Sequence, residues 1–548
     1  MQKVSPKIKA RADKAIHAGR YEEAKLLFQR ILEREPSDYQ ALSNLSVTMN
    51  ELGDYEGFYA SAQRLVAAYP DDPSSLNKAA VADYKVGAFQ AGYEKLKKSF
   101  SLDPTRYDTA LNLCTVTGEL GLHREGLEYA LTAVQLQPGS SDAHNNLGAA
   151  FNSLGQTTEA LHCYETALLL NPDSSFGHVN IGVVLGKQGQ HQKAIEHYNQ
   201  ALALTSPTDK QEVSRLKFFL GLSQLTLGQL AEGWKNYEFG WGANSANGRN
   251  PNRQFSVPRW SGQSLQEKTV LVWREQGLGD EIFFFSALKD LAAISSNVIV
   301  ECDARMVPLL RRSFPTFVVR PQAYYPEPSG MQYHNDFDYQ IPAGSLFAHF
   351  RDRISAFQKS CSFLQVDPVN RDIFERRLGP RGDSLRVGIC WRSGDLNPHR
   401  NSGYTALSDW EKLLKVKNVQ FVSLQYGDTS KELASVVKHY GVFLNSWPDI
   451  DHKDDLDAVA SLVSSLDLVI SVGTAVAQLS AAVGVPVWLL AAQAGWPMFG
   501  EQGYPVYPNV QVYLPKGEQS VTDVLNTNIH DDLIKVATTA MSNKAEVQ

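Results

Sequence analysis

Cysteine is scarce and unpatterned. The five cysteines, Cys114, Cys163, Cys302, Cys361 and Cys390, are scattered through 548 residues with no C-x-x-C pair. Their spacing and odd number suggest neither a disulfide framework nor a zinc site. Long apolar runs are missing as well. The longest nearly apolar stretch, Leu479 to Ala492, is too short to span a bilayer and contains Pro486. The opening residues, MQKVSPKIKARADK, hold no apolar signal core. Nor is there an excess of positive charge. Lys and Arg number 52 against 59 Asp and Glu, a net charge of −7. That balance argues against a general nucleic-acid or anionic-membrane binder. What remains is ordinary globular composition, 43% hydrophobic and 20% charged, in a chain long enough for more than one domain. The expectation is a soluble protein of a reducing, cytoplasmic compartment, without a membrane span.

The first half is periodic. Gly19, Gly53, Gly87, Gly121, Gly155 and Gly189 recur every 34 residues, and so do Pro36, Pro70, Pro104, Pro138 and Pro172. Glycine at an inter-helix turn and proline closing the second helix, at this period, resemble the tetratricopeptide repeat. The pattern is clearest in Ala143-His-Asn-Asn-Leu-Gly148, Leu154-Gly155, Ala160, Tyr164, Ala167 and Pro172. Residues 1–240 are therefore expected to form an α-helical superhelix of about six repeats plus a variant helix pair near Lys210 to Tyr237. Such an array is a protein-docking surface.

Asn44, Asn112, Asn146 and Asn180 occupy one phase of the first helix, with Lys78 in the remaining place. In this repeat family that helix lines the concave face. A ladder of amides there could bond an extended peptide backbone without reading its side chains. The arrangement resembles the asparagine ladder of O-GlcNAc transferases. Asparagine is also common at this position of the repeat, so the ladder need not bind anything.

Gly240 to Arg259, GWGANSANGRNPNRQFSVPR, reads as a connector within a linker spanning 241–265. Beyond it, short β-rich runs alternate with helical segments: Val270–Trp273, Val298–Glu301, Phe317–Arg320, Leu385–Cys390, Val419–Leu424, Val442–Leu444, Leu468–Ser471, Val485–Leu490 and Val510–Leu514. Alternation of this kind predicts parallel, doubly wound sheets. The polar segment Asp367 to Asp383 separates two sets, giving an expected first lobe over 266–378 and a second over 379–548. Two such lobes facing each other are the GT-B plan, which names no reaction by itself.

The centre of the second half is Thr269 to Leu288, TVLVWREQGLGDEIFFFSAL. A strand runs into Gly277-Leu278-Gly279-Asp280 and then a helix-compatible segment. Glycines let a backbone approach a ligand, and a helix N-terminus offers free N–H groups and a positive dipole end. Asp280 is either a helix N-cap or a base held over a cleft. Several further pieces accompany it: Trp260-Ser-Gly262, Glu275 to Asp280, Val387-Gly-Ile-Cys-Trp391 with Arg392-Ser-Gly394, Phe421 to Gln425, Leu466 to Ser471, and Thr474 to Gln478 leading to Gly484 to Trp488. In that order they resemble the catalytic region of bacterial tetratricopeptide proteins related to the heptosyltransferases (glycosyltransferase family 9). The combination with the repeats also resembles flagellin glycosyltransferases, which attach nonulosonic acids to serine and threonine.

The resemblance implies roles. Asp280 matches the proposed base, and Glu275 is either an alternative base or a solvated turn residue. The second lobe is expected to hold the donor nucleotide: Gly473, Thr474 and Ala475 at the phosphate through backbone N–H groups and the Thr474 hydroxyl, Arg392 paired with that phosphate, and Gln425 at the nucleotide. Arg392 in a surface ion pair is the simpler alternative. Relatives usually carry Asp at the Gly473 position and His at the Gln478 position. This chain has neither, which puts the roles of those two side chains in question. Arg400, Asn401 and Ser402 lie in a loop that could act as a lid. His334, in Tyr333-His-Asn-Asp336, could face the acceptor or be a satisfied loop residue. Arg381-Gly-Asp383 reads as a turn, and Asp451, His452, Asp454 and Asp455 as a solvated helix start with only a superficial likeness to a metal cluster. Phe283-Phe-Phe285 and Trp488 read as core.

The expected activity is that of an inverting, metal-independent protein O-glycosyltransferase. It would use no cofactor beyond a nucleotide-sugar donor, CMP-linked in the flagellin analogy, and would act on an acceptor protein, flagellin first, held by the repeats. Two rivals stay open: a non-catalytic adaptor with a degenerate transferase domain, and a transferase acting on lipopolysaccharide or another small acceptor.

Overall fold

The computed structural model describes residues 4–242, 248–251, 253–322, 331–332, 336–357, 362–382, 384–394 and 403–545. The proposed lid residues Arg400, Asn401 and Ser402, as well as His334 and Asp383, lie outside them.

Seven helix pairs fill the first part, beginning with Pro6–His17 and Tyr21–Arg34 and ending with Lys210–Thr226 and Leu230–Tyr237. The glycines between paired helices, from Gly19 to Gly228, all have φ between +69° and +79°. This is the left-handed turn that glycine adopts without steric cost. Small residues at the repeat period, Ala133, Ala167 and Ala201, are fully buried and let neighbouring helices close on each other.

The chain divides into two compact units, 1–184 and 185–548. The division falls inside the helix Ser175–Lys187 rather than near residue 240. The reason is the apolar face of the variant pair. Trp234, on Leu230–Tyr237, is buried within 5.3 Å of the Phe347 ring and 5.7 Å of the Phe499 ring. Its indole N–H donates to the Arg351 carbonyl at 2.9 Å. By sequence this pair closes the repeats; by packing it is core of the second unit.

That unit is α/β. Its strands are β1 (Gln254–Phe255), β2 (Val270–Trp273), β3 (Val298–Cys302), β4 (Val318–Pro321), β5 (Met331–Gln332), β6 (Tyr339–Pro342), β7 (Leu385–Cys390), β8 (Val419–Ser423), β9 (Leu468–Val472), β10 (Val487–Leu490) and β11 (Val510–Tyr513). They form a four-stranded sheet ordered β4-β3-β2-β6, a five-stranded sheet ordered β11-β10-β9-β7-β8, and the small pair β1-β5, all parallel. Each large sheet reverses winding direction once, beside its first strand. In the four-stranded sheet the reversal lies between β2 and β6, and in the five-stranded sheet between β7 and β9. Ligands of open α/β sheets bind at such switch points, beyond the carboxyl ends of the strands.

Two strand expectations need correction. Val442–Leu444 is not a strand; only Asn445 makes an isolated bridge, to Val422. Phe443 is 78% exposed, so the apolar run has no sheet to enter. Conversely, β6 was not expected. Four residues ending in Pro342 carry little β signal, and the strand survives because it sits at a sheet edge, where proline is tolerated. Phe283, Phe284, Phe285 and Trp488 are buried, as expected.

Candidate active site

The turn after β2 and the turn after β9 come together. Gly277 is the N-cap of the helix Leu278–Phe285, so Asp280 lies in the first turn and is not the cap. A Cβ built on Gly279 would lie 3.6 Å from Ala475 Cα and 3.8 Å from Gln478 Cγ. Thus the glycine loop of one sheet packs on the start of the helix Ala475–Val483 from the other, and the two switch points, where the ligand crevice of an open α/β sheet is expected, meet. Asp280 is exposed there. Burial raises the hydroxyl pKa of Tyr237 and of Tyr504, and the Asp280 charge adds to both shifts.

A second acid on the same helix behaves differently. Glu281 is fully buried, 2.7 Å from Arg274 Nε, and accepts the Asp303 N–H at 2.7 Å. Burial dominates, and its carboxyl is pushed up to about 7 despite Arg274.

On the other side of the crevice, Gly473 is exposed with open space where a side chain would project. Thr474 is the N-cap of Ala475–Val483, but its side chain makes no cap bond. Its hydroxyl instead meets Ser471 Oγ at 3.1 Å and Cys390 Sγ at 3.7 Å, inside the protein. The hydroxyl expected at a phosphate is thus engaged inside the protein, and the exposed residue of this turn is Gly473. Gln478 keeps a buried side-chain oxygen without a protein partner.

The Gln425 side chain is likewise engaged inside the protein. Its carbonyl oxygen accepts from the Trp391 and Arg392 N–H groups, both at 3.0 Å, and its amide donates to the Arg392 carbonyl at 2.9 Å. The side chain is buried and shapes the turn after β7. Arg392 takes the simpler of its two readings, an ion pair with Glu432 at 2.7 Å, which raises its pKa.

Glu275 is no solvated turn residue. It is fully buried in a bidentate pair with Arg249, at 2.6 and 2.5 Å, and accepts the Gly344 N–H. Arg249 also reaches Glu238 at 3.0 Å, and Arg259 pairs with Glu238 and Ser345. Arg253, nearby, binds Glu301 at 2.7 Å. The stretch expected to be a connector is thus an integral part of the α/β unit. The sequence offers only a conditional signal: between Gly240 and Arg259 three arginines are the only charged residues, so any that are buried need counterions from elsewhere.

The asparagine ladder is tied from repeat to repeat. The Asn112 amide donates to Asn77 at 3.0 Å, Asn180 to Asn145 at 2.8 Å, and Asn44 to Asp13 at 3.2 Å. Asn146 donates to Thr115 at 3.4 Å, and Lys78, in the ladder's remaining place, donates to Ser43 at 2.7 Å. Each amide spends one N–H on its neighbour, which fixes its orientation. Asp451 and Asp455 serve turns: Asp451 accepts the Lys453 and Asp454 N–H groups, and Asp455 caps the helix Leu456–Val463. Among the described residues no helix is long and apolar enough to cross a membrane.

Residues 9–73 and 139–205 match models of the tetratricopeptide repeat. Protein FlbA of Caulobacter vibrioides is 33% identical over 322 residues, covering 57% of this chain and 54% of FlbA. The matched length exceeds that of the repeats, so the likeness extends into the α/β region. The chain spans about half the length of that curated relative. Among solved structures, the repeat protein TTC0263 of Thermus thermophilus is 21% identical, with a TM-score of 0.31 over 33% of this chain and 99% of that one. A Cut9–Hcn1 hetero-tetramer is 19% identical, with a TM-score of 0.35 over 43% of this chain and 46% of that one. The chain therefore joins tetratricopeptide repeats to a region of two parallel sheets.

Proposed function

We propose that the chain is an inverting protein O-glycosyltransferase of GT-B architecture. One observation carries the reading: the glycine loop at the switch point of one sheet is packed on the helix N-terminus at the switch point of the other, with an exposed carboxylate beside the junction. Asp280 would accept the proton of an acceptor serine or threonine hydroxyl. The hydroxyl oxygen would bond to the anomeric carbon of the donor as the bond from that carbon to the nucleotide phosphate breaks. The Ala475 end of its helix, with the open backbone at Gly473, would hold the leaving phosphate. The repeats would hold the acceptor protein and raise its local concentration. Flagellin is the proposed acceptor and a CMP-linked nonulosonic acid the proposed donor, with no bound metal required.

The test is to incubate the chain with flagellin and CMP-linked donor, then measure the intact mass of flagellin. A shift by one or more sugar masses is expected. Flagellin left unmodified by every nucleotide-sugar class defeats the reading.

A second reading has support in Gly473, Gln478 and the inward turn of Thr474 and Gln425: an adaptor that binds nucleotide without transferring sugar. Calorimetric binding of nucleotide with no mass shift on any acceptor favours it. A transferase for a small acceptor is separated by truncation. The cut belongs after residue 184, because removing residues up to 240 would take Trp234 and Tyr237 out of the core. A small-acceptor enzyme keeps its activity without residues 1–184, whereas a protein-directed one loses it.

A further inference from the structure

We infer that Arg249 is a positioning residue: through Glu275 it holds the turn before Gly277 in the shape that sets Gly279 and Asp280 against the Ala475 helix. The inference rests on the proposed role of Asp280 for its functional meaning, but its structural part stands on its own.

The turn is unusual at one residue. Gln276 has φ +59°, in the left-handed region that non-glycine residues seldom occupy. Such a conformation persists only where its surroundings over-determine it, and it is commonest at functional sites. Here the surroundings are identifiable. The Gln276 N–H donates to the Asn250 carbonyl at 2.7 Å, and the Asn250 side-chain amide donates to Gln276 Oε1 at 3.2 Å. Immediately before it, the Glu275 carboxylate is gripped by the Arg249 guanidinium and by the Gly344 N–H. Residues 249 and 250 therefore clamp residues 275 and 276 by side chain and by main chain together.

Arg249 is itself immobilised. Its guanidinium lies 4.4 Å from the Tyr237 ring centre and 4.2 Å from that of Trp241. Its side chain is fully buried, and so is that of Glu275. With Glu238 and Arg259 the cluster holds two guanidinium and two carboxylate groups, joined by the Ser345 hydroxyl. It is balanced in charge, and the fully buried Arg249–Glu275 pair at its heart leaves no uncompensated ion. Gly344 and Ser345 follow β6 and Glu275 follows β2, so the cluster spans the switch point of the four-stranded sheet. It connects the last repeat-like helix, which carries Tyr237, to the turn that leads into the helix carrying Asp280. A planar, bidentate cation is needed, and lysine cannot supply the fork.

The experiment compares wild type, R249K, the charge-neutral double variant R249M/E275Q, and R249K/Q276G. Amide hydrogen exchange over residues 275–280 is read beside kcat and KM for transfer and the thermal midpoint. Exchange at Gln276 is expected to quicken at least tenfold in R249K and in the double variant, with kcat falling at least tenfold and KM within twofold. Glycine adopts the left-handed turn unaided, so Q276G placed on R249K should recover most of the lost protection and part of kcat. A merely structural arginine would lower the midpoint without selective deprotection of this turn and without rescue by Q276G. Unchanged exchange at 275–280 in folded R249K overturns the positioning role even if the chain transfers no sugar. If R249K and the double variant do not fold, Q276G alone decides: protection at 275–280 at or above wild type supports the clamp, and protection lower than wild type overturns it. Transfer absent from wild type with the exchange results intact fails the proposed reaction and leaves the clamp standing.

Discussion

The two turns that meet in the crevice are built in opposite ways. After β2, the side chains behind the loop form a charge-balanced scaffold around the buried Arg249–Glu275 pair, and the Asp280 carboxylate is exposed. After β9 the polar side chains turn inward, Thr474 to Ser471 and Cys390, and what faces outward is backbone at an exposed glycine. Across the same sheet, Gln425 is likewise spent on the Trp391–Arg392 turn. One side presents a functional group; the other presents amides and a dipole. A ligand held between them would be gripped by main chain on one face and attacked with the help of a side chain on the other. On the proposed reading, a phosphate would be held by main chain, without the Asp and His expected at Gly473 and Gln478.

Four substitutions can break or sharpen that contrast. The largest effect is expected for Asp280→Asn, which should lower kcat for transfer about a thousand-fold. Because the residue is exposed, stability should change by only about 0.5 kcal/mol in thermal melts. Next comes Gln425→Ala. It orphans the buried Trp391 N–H and the part-buried Arg392 N–H and should cost about 2–3 kcal/mol in denaturant unfolding. A nucleotide-contacting glutamine would instead lose affinity with little change in stability.

Gly473→Leu follows. The position is open, so the fold should tolerate the side chain, but the backbone in front of the Ala475 helix is covered. Donor affinity by calorimetry should fall on the order of tenfold, close to 1.4 kcal/mol. The smallest effect is Thr474→Ala. Loss of its internal bonds should cost about 1 kcal/mol of stability, with donor affinity changed by less than about twofold. A tenfold loss of affinity would return the hydroxyl to the ligand and dissolve the contrast.

The sequence made much of this legible where a local pattern suffices. A period of 34 residues announces the repeats, because each pair must bury the same face. Strands such as Leu385–Cys390 announce themselves as apolar runs between turns. The glycine loop and its helix are likewise local. What stayed hidden depends on partners distant in sequence. Arg249 and Glu275 are 26 residues apart, and nothing near either says that both are buried. Thr474 and Cys390 are 84 apart, so the direction of that hydroxyl is set by packing that composition cannot reveal. The ladder's inter-repeat bonds, at separations of 31 to 35 residues, follow from the period but are not apparent without the helix geometry. The Leu230–Tyr237 helix shows the same limit. Its glycine turn fits the array, and only the cluster around Trp234 places it with the sheets.

The most direct measurement is a crystal structure of the full chain with its nucleotide donor bound. The account predicts the donor phosphate within hydrogen-bond distance of the Ala475 and Val476 N–H groups, with the anomeric carbon on the Asp280 side of the crevice. A nucleotide seated away from the junction of Gly279 and Ala475, or a crevice that closes without admitting it, would contradict the account.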